Sequence, residues 1–147
     1  MNQPTSVLRI ESEYYGTFKV DESQIYHFPK GIIGFEEQHD YALIQVEDGP
    51  FYVLHAASGQ LSFILLPGNY AAENYGFHIN QSIISLLDIQ NPEDVITFVI
   101  VNVIDDQLYV NLKAPLIFNR INRKGAQFII DDASYPLRHP LVIKEGP

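Results

Sequence analysis

The chain has 147 residues, of which 46% are apolar, and it contains no cysteine. This length and composition fit one globular domain, and they exclude disulfides, thiolate metal sites and a cysteine nucleophile. The formal net charge of −9 disfavours binding to nucleic acid or anionic lipid and favours a partner with a basic surface.

The negative charge is concentrated in the middle of the chain. No lysine or arginine lies between Lys30 and Lys113, and the same segment carries eleven carboxylates. These carboxylates are Glu36, Glu37, Asp40, Glu47, Asp48, Glu73, Asp88, Glu93, Asp94, Asp105 and Asp106. Acidic residues also keep proteins soluble, so plain solvation is the alternative interpretation of this segment.

Short strands separated by turns are predicted along the first half of the chain. Alternating or short apolar stretches with turn residues between them indicate strands at residues 8–14, 16–20, 24–28, 41–46, 51–56 and 61–66. A loop with two glycines and one proline, residues 29–35, interrupts this series. The last three of these strands form a predicted meander.

One helix is predicted, over residues 80–89, because Asn80 can cap it and apolar residues recur at helical spacing. Residues 91–94 are typical of a single helical turn with Asn91 as its cap. Residues 95–103 are apolar on both faces and are predicted to form the central buried strand. Further strands are predicted at residues 108–112, 114–119 and 126–130.

The fold class that follows is mainly all-β, a small antiparallel β-barrel-like domain with one short helix and an extended C-terminal tail. A single domain is predicted to span residues 1–147, with residues 1–7 and 142–147 flexible. The tail from Tyr135 contains three prolines. We expect it to pack over the domain and to seal an open sheet edge.

The sequence contains no recognisable catalytic constellation. It has no glycine-rich phosphate loop, dinucleotide fingerprint or nucleophile elbow. The five histidines do not occur at metal-ligand spacings, and neighbouring carboxylates fall in predicted turns that face water. We therefore expect no catalytic residue, no metal and no cofactor. The alternative is an enzyme or small-ligand site at a barrel mouth, with His55 or His78 near Tyr75.

Localisation is predicted from two further features. Residues 1–6 have neither a basic start nor an apolar stretch, so no secretion signal is expected. The longest apolar stretch, residues 95–103, is too short to cross a membrane. These features indicate a cytoplasmic protein without membrane contact. Separately, we expect the protein to be a monomer when it is alone. The basic cluster Arg120, Arg123 and Lys124 is better explained by a hairpin turn than by contact with nucleic acid.

The segment Phe-Pro-Lys-Gly-Ile-Ile-Gly-Phe-Glu at 28–36 has two interpretations. In the first, it is a structured loop in which Gly31 and Gly34 adopt positive φ and the apolar residues point inward. In the second, Ile32, Ile33 and Phe35 form an exposed apolar knob beside acidic residues, as in a protein-binding patch. Both interpretations stay open at this point.

Six segments occur in a specific order along the chain. They are the segment at 28–36, Pro-Phe at 50–51, Asn-Pro-Glu-Asp-Val at 91–95, Val-Asn-Leu-Lys-Ala-Pro-Leu-Ile at 110–117, Asn-Arg-Lys-Gly at 122–125 and Tyr-Pro-Leu-Arg-His-Pro-Leu at 135–141. Pro115, within the fourth, indicates an edge strand or a bulge. Together these segments resemble the family of the bacterial flagellar assembly factor FliW.

The resemblance implies a barrel-like fold without catalytic activity and two protein partners, flagellin and the RNA-binding translational regulator CsrA. It implies that the protein, once released from flagellin, binds CsrA and relieves repression of flagellin translation. Flagellin synthesis is thereby coupled to export. A general export chaperone for flagellar subunits that does not bind CsrA is the alternative.

The candidate partner-binding residues combine the apolar loop, its acidic neighbours and positions that the resemblance marks. They are Ile32, Ile33, Phe35, Glu36, Glu37, Asp48, Phe51 and Glu73. The chain departs from the family pattern at Val53 and His55, where an aromatic residue and glutamine are common. It also departs at residues 68–77, which hold one carboxylate where the family has an acidic, aromatic strand.

Overall fold

This computed structural model of the protein describes residues 7–47, 49–132 and 134–141. Its strands are β1 (Val7–Ser12), β2 (Gly16–Asp21), β3 (Ile25–His27), β4 (Asp40–Gln45), β5 (Tyr52–Ala56), β6 (Ser62–Pro67), β7 (Val95–Ile104), β8 (Gln107–Val110), β9 (Leu116–Asn119), β10 (Lys124–Gln127) and β11 (His139–Pro140). Its helices are α1 (Gly68–Ala71) and α2 (Gln81–Leu86), and short 3-10 turns occupy Glu22–Gln24 and Pro92–Asp94.

Seven strands close into a β-barrel in the order β7-β6-β5-β4-β3-β10-β9, with β9 returning to β7. This confirms the predicted barrel. Every neighbouring pair in the ring is antiparallel except β3 and β10, which run parallel with Lys124 opposite His27. One parallel pair is needed, since strand directions cannot alternate around a ring with an odd number of strands.

The strand β7 has ten residues and closes the barrel by pairing with both β6 and β9. Along one edge it pairs with β6. Along the other it pairs first with β9, over Val95–Phe98, and then with β8, over Val101–Ile104. The chain passes from β8 to β9 through residues 111–115, so Pro115 lies in this crossover loop rather than in a strand.

Aromatic side chains fill the barrel interior. The Phe118 ring contacts those of Tyr26, Phe28 and Phe98 edge to face, with ring centroids 5.0, 5.5 and 5.3 Å apart. A Cβ at Gly125 would lie 2.5 Å from the Phe28 ring, so this position requires glycine for packing. Buried aromatic pairs of this geometry stabilise the fold by more than the burial of their apolar area alone would.

Three smaller apolar clusters cover the outside of the barrel. The hairpin β1–β2 packs through Ile10 and Val20 on Ala42 of β4. Leu87, the C-cap residue of α2, packs on Ile117 of β9 and Ala126 of β10. The third cluster lies under α1 and the C-terminal tail. These covers explain why strands such as β7 and β9 are apolar on both faces.

The tail seals a sheet edge, as predicted. Its strand β11 pairs with β8, and the Leu112 N–H donates to the Pro136 carbonyl at 3.1 Å. The Tyr135 hydroxyl donates to the Gly76 carbonyl at 2.8 Å. The edge of β8 is therefore covered by backbone pairing and by an anchored aromatic residue.

The predicted helix exists but is shorter than expected. Asn80 caps it as predicted, since its side-chain oxygen accepts a hydrogen bond from the Ile83 N–H at 3.0 Å. It ends early because Asp88 adopts a left-handed conformation with φ of 50°. The turn after Asn91 is confirmed, but the Asn91 side chain donates to Asp94 at 3.4 Å and does not cap the turn.

The short helix α1 was not predicted, because Gly68–Ala71 is too short for a helical apolar pattern. Residues 1–7 and 142–147 were predicted to be flexible. All of them lie outside the described residues except Val7, which begins β1. Within the described part of the chain, no helix has the length and hydropathy needed to span a bilayer.

Candidate protein-binding surface

The loop between β3 and β4 is held in one conformation by its own backbone. The Gly31 N–H donates to the Phe28 carbonyl at 3.0 Å and the Phe35 N–H to the Ile32 carbonyl at 2.7 Å. Gly31 and Gly34 have φ of 67° and 91°, as predicted. A Cβ at Gly31 would lie 2.6 Å from the Cα of Glu36, so the loop closes too tightly for any side chain there.

The three apolar residues of this loop divide between core and surface. Ile32 is 1% exposed and belongs to the barrel core, so its prediction as part of an exposed knob was wrong. Its side chain packs in the barrel core, and its backbone forms a bridge with Phe35 across the turn. Ile33 and Phe35 are 56% and 44% exposed and form the apolar part of the surface.

Two contacts that the sequence did not predict hold these exposed residues. The Gln127 side-chain oxygen, from β10, accepts a hydrogen bond from the Ile33 N–H at 2.9 Å. The Phe35 ring packs edge to face on Phe63 of β6, with centroids 5.6 Å apart. Both partners are far away in the sequence, so no local signal could have indicated them.

The carboxylates of Glu36 and Glu37 are exposed beside this apolar pair. Glu36 accepts a hydrogen bond from the Gly34 N–H at 3.0 Å, and this bond lowers the pKa of its carboxyl group. Phe35, Glu36, Glu37 and Leu61 help to line a pocket of about 540 Å³. We name the exposed residues Ile33, Phe35, Glu36 and Glu37 the loop patch.

Of the other candidate residues, Phe51 belongs to a different apolar cluster from the loop patch. Phe51 is half-buried and packs on the outer cluster under the tail, not on the barrel interior. Glu73 is exposed after α1, close in sequence to Ala71 and Ala72 of the same cluster. Asp48 lies outside the described residues. The structure thus groups four of the candidates and does not bring Phe51 or Glu73 into that group.

The positions that depart from the family pattern include two buried ones. Val53 and His55 are 2% and 0% exposed. The His55 ring lies under Phe18 of the β1–β2 hairpin, and its Nδ1 is 2.8 Å from the Ala56 carbonyl. Differences at these two positions therefore act on packing and not on direct contact with a partner.

Negative charge covers the surface of the Lys/Arg-free segment. Nine of its carboxylate side chains in the described residues are exposed, and Asp94 is half-buried. The one contact of salt-bridge geometry within the described ranges joins His27 Nδ1 and Asp40 Oδ1 at 2.8 Å, with both side chains about half exposed. Most of the carboxylates are therefore available to a basic partner surface.

The structure has a pocket of about 660 Å³, whose lining can be compared with the residues expected for an enzyme or small-ligand site. Its lining contains Tyr75 but neither His55 nor His78. The Tyr75 hydroxyl donates to the Leu112 carbonyl at 2.6 Å, and burial, with Tyr135 nearby, raises its pKa. In the described part of the chain, no three metal-ligating side chains cluster. The lining residues of this pocket thus include no convergent acid–base pair.

Known proteins match this chain over almost its full length. The family described as FliW protein matches residues 9–141. The flagellar assembly factor FliW of Ruminiclostridium cellulolyticum is 36% identical over 135 residues, covering 88% of this chain and 91% of the relative. The FliW of Bacillus subtilis is 34% identical, covering 90% of this chain and 95% of the relative.

A solved structure agrees with these sequence matches. The crystal structure of a flagellar assembly factor FliW superposes with a TM-score of 0.84 at 30% identity, covering 94% of this chain and 99% of the other. The two chains thus share the overall fold. On the family match, the relatives and this structural likeness, the chain belongs to the FliW family of flagellar assembly factors.

Proposed function

We propose that this protein is a non-catalytic regulator in the bacterial cytoplasm that binds flagellin and CsrA. When flagellin occupies it, CsrA is free to repress flagellin translation. When flagellin is exported, the released protein binds CsrA and lifts that repression. The protein thereby couples flagellin synthesis to export.

The observation that carries the proposal is family membership over residues 9–141, combined with the exposed loop patch. An apolar centre with a charged rim is typical of protein-binding surfaces. Ile33 and Phe35 supply that centre on a loop anchored by Gln127 and Phe63, so little conformational entropy is lost on binding.

The loop patch is tested first with flagellin. We expect Ile33→Ala and Phe35→Ala each to weaken the complex by about tenfold, because each removes apolar area from a binding centre. Isothermal titration calorimetry with purified flagellin measures the affinity. Thermal unfolding should show that Ile33→Ala leaves the melting temperature almost unchanged, because Ile33 is more than half exposed.

Two further variants serve as controls. Ile121→Ala removes an isoleucine that is 72% exposed outside the loop, and it should leave flagellin affinity unchanged. Ile32→Ala should instead lower the free energy of unfolding by about 2–5 kcal/mol, since it opens a cavity in the core. Full affinity in both loop-patch variants would show that flagellin binds elsewhere.

A test of CsrA binding distinguishes the proposed function from the alternative of a general export chaperone. Such a chaperone binds flagellin but gives no complex with CsrA at concentrations well above micromolar. An enzyme or small-ligand carrier is less favoured, because Tyr75 in the 660 Å³ pocket is engaged by Leu112 and no histidine lines that pocket.

A further inference from the structure

The protein has a second concave surface, which shares no lining residue with the pocket beside the loop patch. It is the pocket of about 660 Å³ between the segment 67–79, the helix α2 with the residues after it, and the start of β7. We name it the α2 groove. Its apolar walls include Phe77, Ile79, Ile84, Ile89, Val95 and Ile96, all of which are only partly buried.

The shape of the groove is built into the chain. At its floor, Ile117 is fully buried. Gly68 lets the Tyr75 ring lie close to the chain, because a Cβ at Gly68 would be 2.8 Å from that ring. The carbonyl of Leu87, at the end of α2, accepts hydrogen bonds from the side chains of Asn119 and Asn122 at 2.9 and 2.8 Å. The walls are thus held in place by packing and by hydrogen bonds without any occupant.

We name as the acidic rim the carboxylates that directly flank lining residues in the sequence: Asp88 before Ile89, and Glu93 and Asp94 between Pro92 and Val95. Residues 67–97 contain Glu73, Asp88, Glu93 and Asp94 and no lysine or arginine. None of these carboxylates forms an ion pair within the described ranges. One basic residue, Arg120, reaches this region, but its guanidinium donates to the backbone carbonyl of Glu93 at 2.7 Å and not to a carboxylate.

The chemistry of the walls selects the occupant. An extended peptide would need hydrogen-bond partners for its backbone, and the groove walls are mostly apolar side chains. A helix satisfies its own backbone and presents apolar residues at i, i+3, i+4 and i+7 to such a groove. Lysine or arginine beside that apolar stripe would meet the acidic rim.

We propose that the α2 groove is a second docking surface, separate from the loop patch, whose occupant is a basic amphipathic helix of a partner protein. Apolar side chains of the helix fill the groove between Ile84, Ile89 and Ile96. Its basic side chains lie against the carboxylates of Asp88 and Glu93. This inference goes beyond the proposed function, because it does not depend on binding to flagellin or CsrA.

The probe is a synthetic amphipathic peptide of about 14 residues made of leucine and lysine, long enough to fold on a surface. The matched control has the same leucine positions with glutamate in place of lysine. Amide NMR spectra of the full chain locate the binding, and fluorescence anisotropy measures the affinity. We expect shifts concentrated in residues 75–96 and affinity for the glutamate peptide that is lower by about tenfold or more.

Two pairs of variants separate groove docking from general charge attraction. Ile84→Asp should weaken lysine-peptide binding about tenfold although it adds negative charge, whereas Val103→Asp, on the exposed far end of β7, should not weaken it. Asp88→Asn with Glu93→Gln should weaken binding more than Asp105→Asn with Asp106→Asn does. Each double variant removes two carboxylate charges, and asparagine tolerates the positive φ of Asp88, Asp105 and Asp106.

Several results would overturn the proposal. They are equal affinity for the two peptides, equal loss in the two double variants, or amide shifts centred outside the groove. If the groove amides shift with protein concentration alone, a second copy of the chain is the occupant and the proposal is wrong. If Ile84→Asp does not fold, the amide map of the unmodified chain with the two peptides decides the question.

Discussion

Tyr41 is a buried residue whose ionisation makes the stability of the fold depend on pH. Its side chain is fully buried in the barrel core, and its hydroxyl has no hydrogen-bond partner in the described residues. Burial raises the pKa of this phenol to about 12. An unpaired buried hydroxyl costs free energy, so tyrosine is not the most stable choice at this position.

We therefore expect Tyr41→Phe to be at least as stable as the native chain at neutral pH. Tyrosines have a pKa of about 10 in the unfolded state, whereas the pKa of Tyr41 in the folded state is about 12. Native stability should thus fall as pH rises from about 10 to about 12, and this fall should be smaller in Tyr41→Phe. Thermal unfolding across that range measures the difference.

Tyr14→Phe is the control for this experiment, because Tyr14 is 86% exposed. Its alkaline stability curve should match that of the native chain. A marked loss of stability in Tyr41→Phe at neutral pH would mean that the hydroxyl has a partner in solution and that the account of this residue is wrong.

Residue-level prediction from sequence was correct where a local rule decided the conformation. The positive φ of Gly31 and Gly34 and the cap at Asn80 follow from their own residue types and near neighbours. Ile32 could not be predicted in this way. Its burial depends on the barrel core that other strands build around it, and nothing in the loop distinguishes it from Ile33.

At the scale of elements, the end of α2 depends on two asparagine side chains from the β9–β10 hairpin. Asn119 is 2% exposed, and its amide donates to the carbonyls of Leu87 and Asp88 at 2.9 and 3.3 Å. Asn122 donates to the Leu87 carbonyl as well. The hairpin therefore satisfies carbonyls that the helix itself leaves without partners.

Asn119→Ala should consequently lower the free energy of unfolding by about 1–3 kcal/mol. It removes the side-chain donor of the Asp88 carbonyl and the acceptor of the Ile121 N–H, and it leaves the Leu87 carbonyl with Asn122 alone. Denaturant unfolding followed by circular dichroism measures this loss. Asn102→Ala, on an exposed position of β7, should cost far less. Equal stability of the two variants would contradict the role assigned to Asn119.

The sequence predicted most elements but not how they meet. Alternation and turn residues located most strands to within two or three residues, because each is a local pattern. The parallel pair β3–β10 and the shared edge of β7 arise from closing the barrel, which no local pattern records. For the same reason, Gln127 and Phe63 could not be predicted as supports of the loop patch.

For the whole molecule, negative charge is the property that we expect to distinguish between the two proposed partners. The net charge is −9, and most carboxylates of the Lys/Arg-free segment are exposed without an ion pair in the described ranges. Such a field accelerates encounter with a basic surface and is screened by salt. An apolar centre such as the loop patch is much less sensitive to salt.

We therefore expect the complex with CsrA to depend on ionic strength. Its dissociation constant should rise about tenfold between low and high salt, because screening weakens attraction between the acidic surface and a basic partner. Calorimetric titrations at several salt concentrations measure this slope. Affinity that is constant across the series would contradict an electrostatic role for the acidic segment.

The coupling of flagellin synthesis to export is tested most directly by titrating the protein with CsrA, first alone and then with saturating flagellin. We predict a complex with CsrA of micromolar or tighter affinity in the first titration. We predict that flagellin abolishes or strongly weakens it in the second. Failure to bind CsrA, or CsrA affinity that flagellin does not change, would contradict the proposed function.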